Sequence, residues 1–283
     1  MADDPDRTPR LYQYRQDRSR FACIAYSLTV IFFCISIVQW ILMIILDGLR
    51  NFIIDFSYIS IIALLIGMLL VTSFVFFENL RFATPINWFL TIIIVLMTTW
   101  GISRAIVEPS LALFGITLLF VAILAVMFIL IGVYIRHDLT LDVVILFVAA
   151  VIFFITSVFF VMLQIMAGLK IAFFIYASII IITVLMFLMY HAQTINGYRY
   201  AEMRLNDYLL AALIIYHDLT ILLIMSFLLI GKIYTLAGGS GLYFYGDSCC
   251  GNTTGASNRS LYYDPSLYNT GSTGNDNVAP IYL

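Results

Sequence analysis

Asp218 stands inside a hydrophobic run, in a stretch from Tyr190 to Thr220 that also holds His191, Asp207 and His217. A carboxyl at the centre of a membrane-spanning helix costs about 2.5–3.5 kcal/mol on insertion scales, so such groups face the bundle interior and find a partner. On a helix, Ala211, Ile214, Asp218, Leu222 and Met225 share one face, and small Ala211 lets a neighbouring helix approach closely. His217 is rotated by about 100° from Asp218 and reads as a core or interface histidine against a different neighbour. The nearest partner for Asp218 is His191, where the preceding apolar run ends, followed by Gln193 and Thr194; Tyr216 adds a hydroxyl two residues before the aspartate. If His191 and Asp218 touch, each favours the charged form of the other, and burial opposes both. Histidine is the side chain that ordinarily titrates between about pH 5 and 8, so the couple suits a proton switch. The candidates for such a switch are Asp218 and His191, with His217, Gln193 and Tyr216 beside them in sequence. The plainer expectation is a carboxyl that hydrogen-bonds a threonine or tyrosine and holds helices in register.

A switch of this kind makes a geometric demand. A short loop joins the last two apolar runs, so they pack antiparallel. Counted from Asp207, Asp218 lies about eleven residues in, or about 16 Å along the axis. Contact then requires His191 to sit within the bundle and not in the loop.

The positioning elements follow from composition. Hydrophobic residues are 63% of the 283 and charged residues 11%, with a mean hydropathy of +1.04. A soluble domain is about 45–50% apolar and about 25% charged, so this chain lacks the polar surface to cover itself and its solvent is lipid. The net charge of -2 argues against nucleic acid as a partner. Runs of about twenty apolar residues mark spans, here Phe21–Leu46, Phe52–Phe77, Trp88–Ser103, Ser110–Ile135, Val143–Ala167, Ile171–Tyr190 and Tyr208–Ile230. Pro109 suits a first helical turn, where its missing N–H costs little.

The expected fold is an all-α membrane protein, a seven-helix bundle over residues 21–233, preceded by a polar N-terminal arm at 1–20. Residues 234–283, rich in Gly, Ser, Asn and Tyr, form a disordered tail. That tail carries Cys249 and Cys250, sequons at Asn252 and Asn258, and a final Ile-Tyr-Leu resembling a ligand for a strand-adding domain. Arg7, Arg10, Arg15, Arg18, Arg20, Arg81, Arg136, Arg199 and Arg204 fall on one side of the membrane against Arg50, Arg104 and Lys170 on the other, which places the N-terminus in the cytosol.

Enzyme chemistry has little support. There is no HExxH, GxSxG or Gly-rich phosphate loop, His137 and Asp138 sit in a short turn, and the His and Cys residues are too scattered for a transition-metal site. No enzyme activity, cofactor or resident metal is expected. A receptor is disfavoured by the short loops, and a proton-coupled transporter would want broken helices at matched positions in two halves.

The stretch "YHAQ" and, after a short loop, "DYLLAALIIYHDL" resemble the C-terminal signature of the Bax inhibitor motif family, most closely its lifeguard branch. Members carry Tyr-Asp-Thr-Gln at the end of the sixth helix and Glu-Tyr-x-x-x-Ala-x-x-Leu-Tyr-x-Asp-Ile on the seventh. Tyr190, Gln193, Tyr208, Ala211, Ala212, Tyr216 and Asp218 stand in matching places. Weaker echoes are "FGIT" at 114–117, "RHDLT" at 136–140, Pro85 with Asn87, and a degraded first-helix pattern in "RFACIAY"; together they cover about residues 18–233. The resemblance implies a seven-helix fold with a central last helix and a place in the endoplasmic reticulum, the Golgi or the cell surface. It also implies a pH-sensitive calcium leak, with Ca²⁺ as permeant ion, and a role in restraining cell death through membrane-protein partners. In the family two aspartates, on helices six and seven, share a proton and gate the pore; Asp218 matches the second, and His191 replaces the first. Hard cations want oxygen ligands, and imidazole is a poor one, so the resemblance equally admits a non-conducting interaction protein of the same fold.

Overall fold

A computed structural model describes residues 7–107 and 111–236 of the chain. Among them are α1 (Arg7–Ile45), α2 (Asp47–Asp55), α3 (Ser57–Phe76), α4 (Glu78–Phe82), α5 (Ile86–Val107), α6 (Leu111–Tyr134), α7 (Val143–Ala167), α8 (Lys170–Asn196) and α9 (Tyr208–Leu236), and no strand. Seven of these helices, α1, α3 and α5 to α9, are long and apolar enough to cross a membrane. The readings placed on Pro109, Cys249, Cys250, Asn252, Asn258 and the C-terminal Ile-Tyr-Leu lie outside the described residues.

Burial sorts the helices by role. The outward faces of α3, α6 and α7 expose Leu69, Phe76, Leu119, Phe154, Ile165 and Met166, which is the surface a helix offers to hydrocarbon. Only Ser157 of α7 is buried, and α7 packs chiefly against α8. The last helix is the opposite case. Leu209 through Leu213, Ile215 and Tyr216 are all buried, and α9 packs against α1, α5, α6 and α8. It is the central helix. Its small residues Ala211 and Ala212, both 0% exposed, permit the close approach that van der Waals packing in lipid requires.

Five boundaries differ from the sequence expectation by several residues: the last helix runs on to Leu236, and each of the other four has a physical reason. The polar stretch before Phe21 continues the first span as helix from Arg7, with Pro9 tolerated in the first turn, because Tyr14 and Arg18 bond to residues of the α8–α9 loop. The second span starts at Ser57 and not Phe52, since Asp47–Asp55 forms its own short helix with Ile53 buried in the core. The third span runs on through Arg104 to Val107, because Ile106 and Val107 are buried beyond the charge. The sixth runs six residues past Tyr190, to Asn196.

Candidate functional site

The extension of α8 is what builds the site. Its added residues include four polar ones, and His191, Gln193 and Asn196 are held by partners from elsewhere. Asn196 donates to the Tyr26 hydroxyl at 2.8 Å. Gln193 accepts from the Leu139 N–H at 2.8 Å and donates to the His137 carbonyl at 2.9 Å, binding the α6–α7 loop to α8. Gly197 then ends the helix in a conformation with φ of 76°, which favours a residue without a Cβ. Across from this segment, Gly132 of α6 allows close packing, as a Cβ there would come within 2.7 Å of the Met189 carbonyl oxygen.

His191 therefore sits within α8, five residues before its end, and it touches Asp218. Its Nδ1 lies 2.7 Å from Oδ2 of the carboxylate. The side chains are 17% and 12% exposed. Phe187, one turn earlier, stacks on the imidazole with centroids 6.0 Å apart, and Thr194, three residues later, donates to the His191 carbonyl at 2.9 Å. Phe187 thus holds the ring, and Thr194 holds the backbone that carries it. Asp218 Oδ2 is the one hydrogen-bond partner of the His191 ring among the described residues. A proton gained or lost changes the charge of this pair within the bundle, where a charge is costly.

The other sequence candidates are placed elsewhere. Tyr216 is 0% exposed and its hydroxyl meets Ser36 Oγ at 2.9 Å and Thr99 Oγ1 at 3.2 Å. Ser36 and Thr99 are themselves 2.7 Å apart, and the Trp40 indole N–H donates to the Thr99 carbonyl at 3.1 Å. This closed group ties α1, α5 and α9 together. His217 bonds the Leu213 carbonyl through Nδ1 at 2.7 Å and meets Thr98 Oγ1 through Nε2 at 3.4 Å, the satisfied interface histidine expected. Gln193 serves the loop and not the pair.

The sequence reading missed the α8–α9 loop, residues 197–207, as a charged hub. Arg18 reaches it from α1, Arg81 from α4 pairs with Asp207 at 3.3 Å, Arg204 pairs with Glu78, and Arg199 bonds the carbonyls of Ile135 and Arg136. The Asp138 carboxylate accepts from the Tyr200 N–H at 2.9 Å. The one available signal was the grouping of these arginines on a single side of the membrane. Burial pushes the Asp207 carboxyl above its ordinary value, with Arg81 and Arg204 opposing and Glu78 adding to the rise. For Asp138 burial also pushes up, but the bonds from Thr140 and Tyr200, together with Arg199, outweigh it and the carboxyl ends below its ordinary value.

No family model, curated protein or solved structure matches this chain. Its class rests on its own helices. The chain is a multi-pass membrane protein, an all-α bundle with its last helix at the centre. Among the described residues no group of three or more His, Cys, Asp or Glu is placed to hold a metal ion.

Proposed function

We propose that this protein is a pH-sensitive calcium leak, or a regulator of intracellular calcium stores, in an internal or surface membrane, resembling the Bax inhibitor motif family and sharing its restraint of cell death. The observation that carries the reading is the 2.7 Å contact between His191 and Asp218. These are the two positions that match the paired aspartates of that family, on adjacent helices within the bundle. Protonated, the pair is an ion pair of no net charge that holds α8 to α9. With the imidazole neutral, a net negative charge stands within the membrane domain, which attracts a divalent cation and strains the closed state. Endoplasmic reticulum, Golgi or plasma membrane would each suit such a device.

One observation favours a second reading, a non-conducting protein of the same fold that acts through helix contacts with other membrane proteins. His191 supplies nitrogen where calcium prefers oxygen, and its ring is locked between Phe187 and Asp218. Calcium release from proteoliposomes separates the two. The leak reading predicts release from the native chain that varies between pH 5 and 8. A native chain without flux, combined with flux in His191→Asp, establishes the second reading and overturns the first.

A further inference from the structure

Arg18 is an anomaly for a charged residue. It is 2% exposed, although guanidinium groups are rarely buried without a carboxylate in direct contact. Here the fork is used on backbone. Nη1 donates to the Met203 carbonyl at 2.5 Å and Nη2 to the Thr194 carbonyl, with Glu202 at 3.9 Å and the Phe21 ring beneath the charge. The same Thr194 carbonyl also accepts from the Met203 N–H at 3.1 Å. That bond closes residues 194–203 into a ring, and the arginine binds both of its closing residues. Gly197 is part of the same fit, since a Cβ there would lie 2.5 Å from Arg18 Nε. Thr194 belongs to the last turn of α8, whose unpaired carbonyls and dipole favour a cation.

The consequence reaches the site. Thr194 is one turn from His191 and hydrogen-bonds its carbonyl, while Met203 lies five residues before the start of α9, which carries Asp218. We infer that Arg18 is a positioning residue for the His191–Asp218 pair: by bridging the last turn of α8 to the segment entering α9, it sets the register in which the two side chains meet. This rests on the reading of that pair as the functional centre. Two carbonyls from two segments need a planar fork; the point charge of lysine cannot satisfy both in this geometry. Of the other clamps on the loop, Arg81–Asp207 is also largely buried, whereas Arg204–Glu78 lies at the surface. Arg204 and Glu78 are 68% and 52% exposed, and pairs of that kind contribute little.

Register can be read without any flux. In a chain with Cys23, Cys34, Cys249 and Cys250 changed to serine, His191→Cys with Asp218→Cys is treated with a short bifunctional methanethiosulfonate. Cross-linking is expected to fall roughly tenfold in Arg18→Gln, the scale of one lost charge-assisted hydrogen bond, and by less in Arg18→Lys, while Arg204→Gln cross-links at the unaltered rate. Should Arg18→Gln fail to fold, Arg18→Lys alone decides. The second readout keeps the native pair. The chain has three histidines, so the His191 ring can be followed by isotope-labelled NMR, and Arg18→Lys is expected to displace its titration midpoint, which a merely stabilising arginine would leave in place. Unchanged cross-linking in the folded Arg18 variants, an equal loss in Arg204→Gln, or an unmoved His191 midpoint each overturns the inference. A native chain that releases no calcium ends the leak reading and leaves these two readouts to decide the role of Arg18.

Discussion

Tyr216 and Asp218 are two residues apart on one helix, yet their polar groups live in different regimes. The tyrosine hydroxyl is fully enclosed and shares bonds with Ser36 and Thr99, which also bond each other. The carboxylate meets one imidazole, and both side chains retain some exposure. A rotation of about 200° separates the two positions, enough to turn one toward α1 and α5 and the other toward α8. The hydroxyl group is uncharged at every physiological pH and binds three helices, so it specifies packing. The pair joins only α8 to α9, so on the proposed reading it is the place where a change of charge leaves the core intact. On that reading, packing and response are divided between two faces of the same helix.

This division can be broken or sharpened by substitution. The largest effect belongs beneath the hydroxyl group. Trp40 is 0% exposed and packs edge-to-face on Phe33 and Phe114, so Trp40→Ala is expected to cost about 3–5 kcal/mol in unfolding from detergent micelles. Tyr216→Phe keeps the ring and removes one shared hydroxyl, for a loss of about 1–3 kcal/mol, with the pH profile of any calcium release unaltered. Asp218→Asn is nearly isosteric and keeps an oxygen that accepts from the imidazole, so it should cost about 0.5–1.5 kcal/mol, the net worth of one hydrogen bond, yet it should flatten that profile. If Tyr216→Phe moved the profile and Asp218→Asn did not, the two sites would have exchanged roles.

The smallest effect lies outside the membrane-spanning segments. Asp207 has its carboxyl raised from an ordinary value of 3.8, by burial first, against the pull of Arg81 and Arg204. A carboxyl raised on folding binds protons more readily in the native state. Its contribution to stability is therefore fully present below pH 3.8 and is lost as pH rises through the raised value. Thermal unfolding of the native chain against Asp207→Asn should show the native chain losing ground over that window. Parallel curves would mean that Arg81 already compensates the charge.

Much of the bundle was legible in the residues. Apolar runs mark hydrocarbon contact directly, which is why α7, the helix most given to lipid, runs from Val143 to Ala167 as its sequence indicates. Charged and polar residues misled wherever a distant partner satisfied them. Arg104 read as a break although buried Ile106 and Val107 carry α5 onward. His191 read as a helix end because the loop that receives Gln193 lies more than fifty residues away. The partnership of His191 with Asp218 was accessible from cost alone, since a carboxyl in the membrane must find something. Arg18 was not, because a guanidinium that binds backbone carbonyls leaves no complementary residue type to search for.

The most direct test is calcium release from proteoliposomes measured from pH 5 to 8 for the native chain, Asp218→Asn and Tyr216→Phe in parallel. A native curve that varies with pH, reproduced by Tyr216→Phe and flattened in Asp218→Asn, is the predicted result. An Asp218→Asn curve that superposes on the native one would contradict the account.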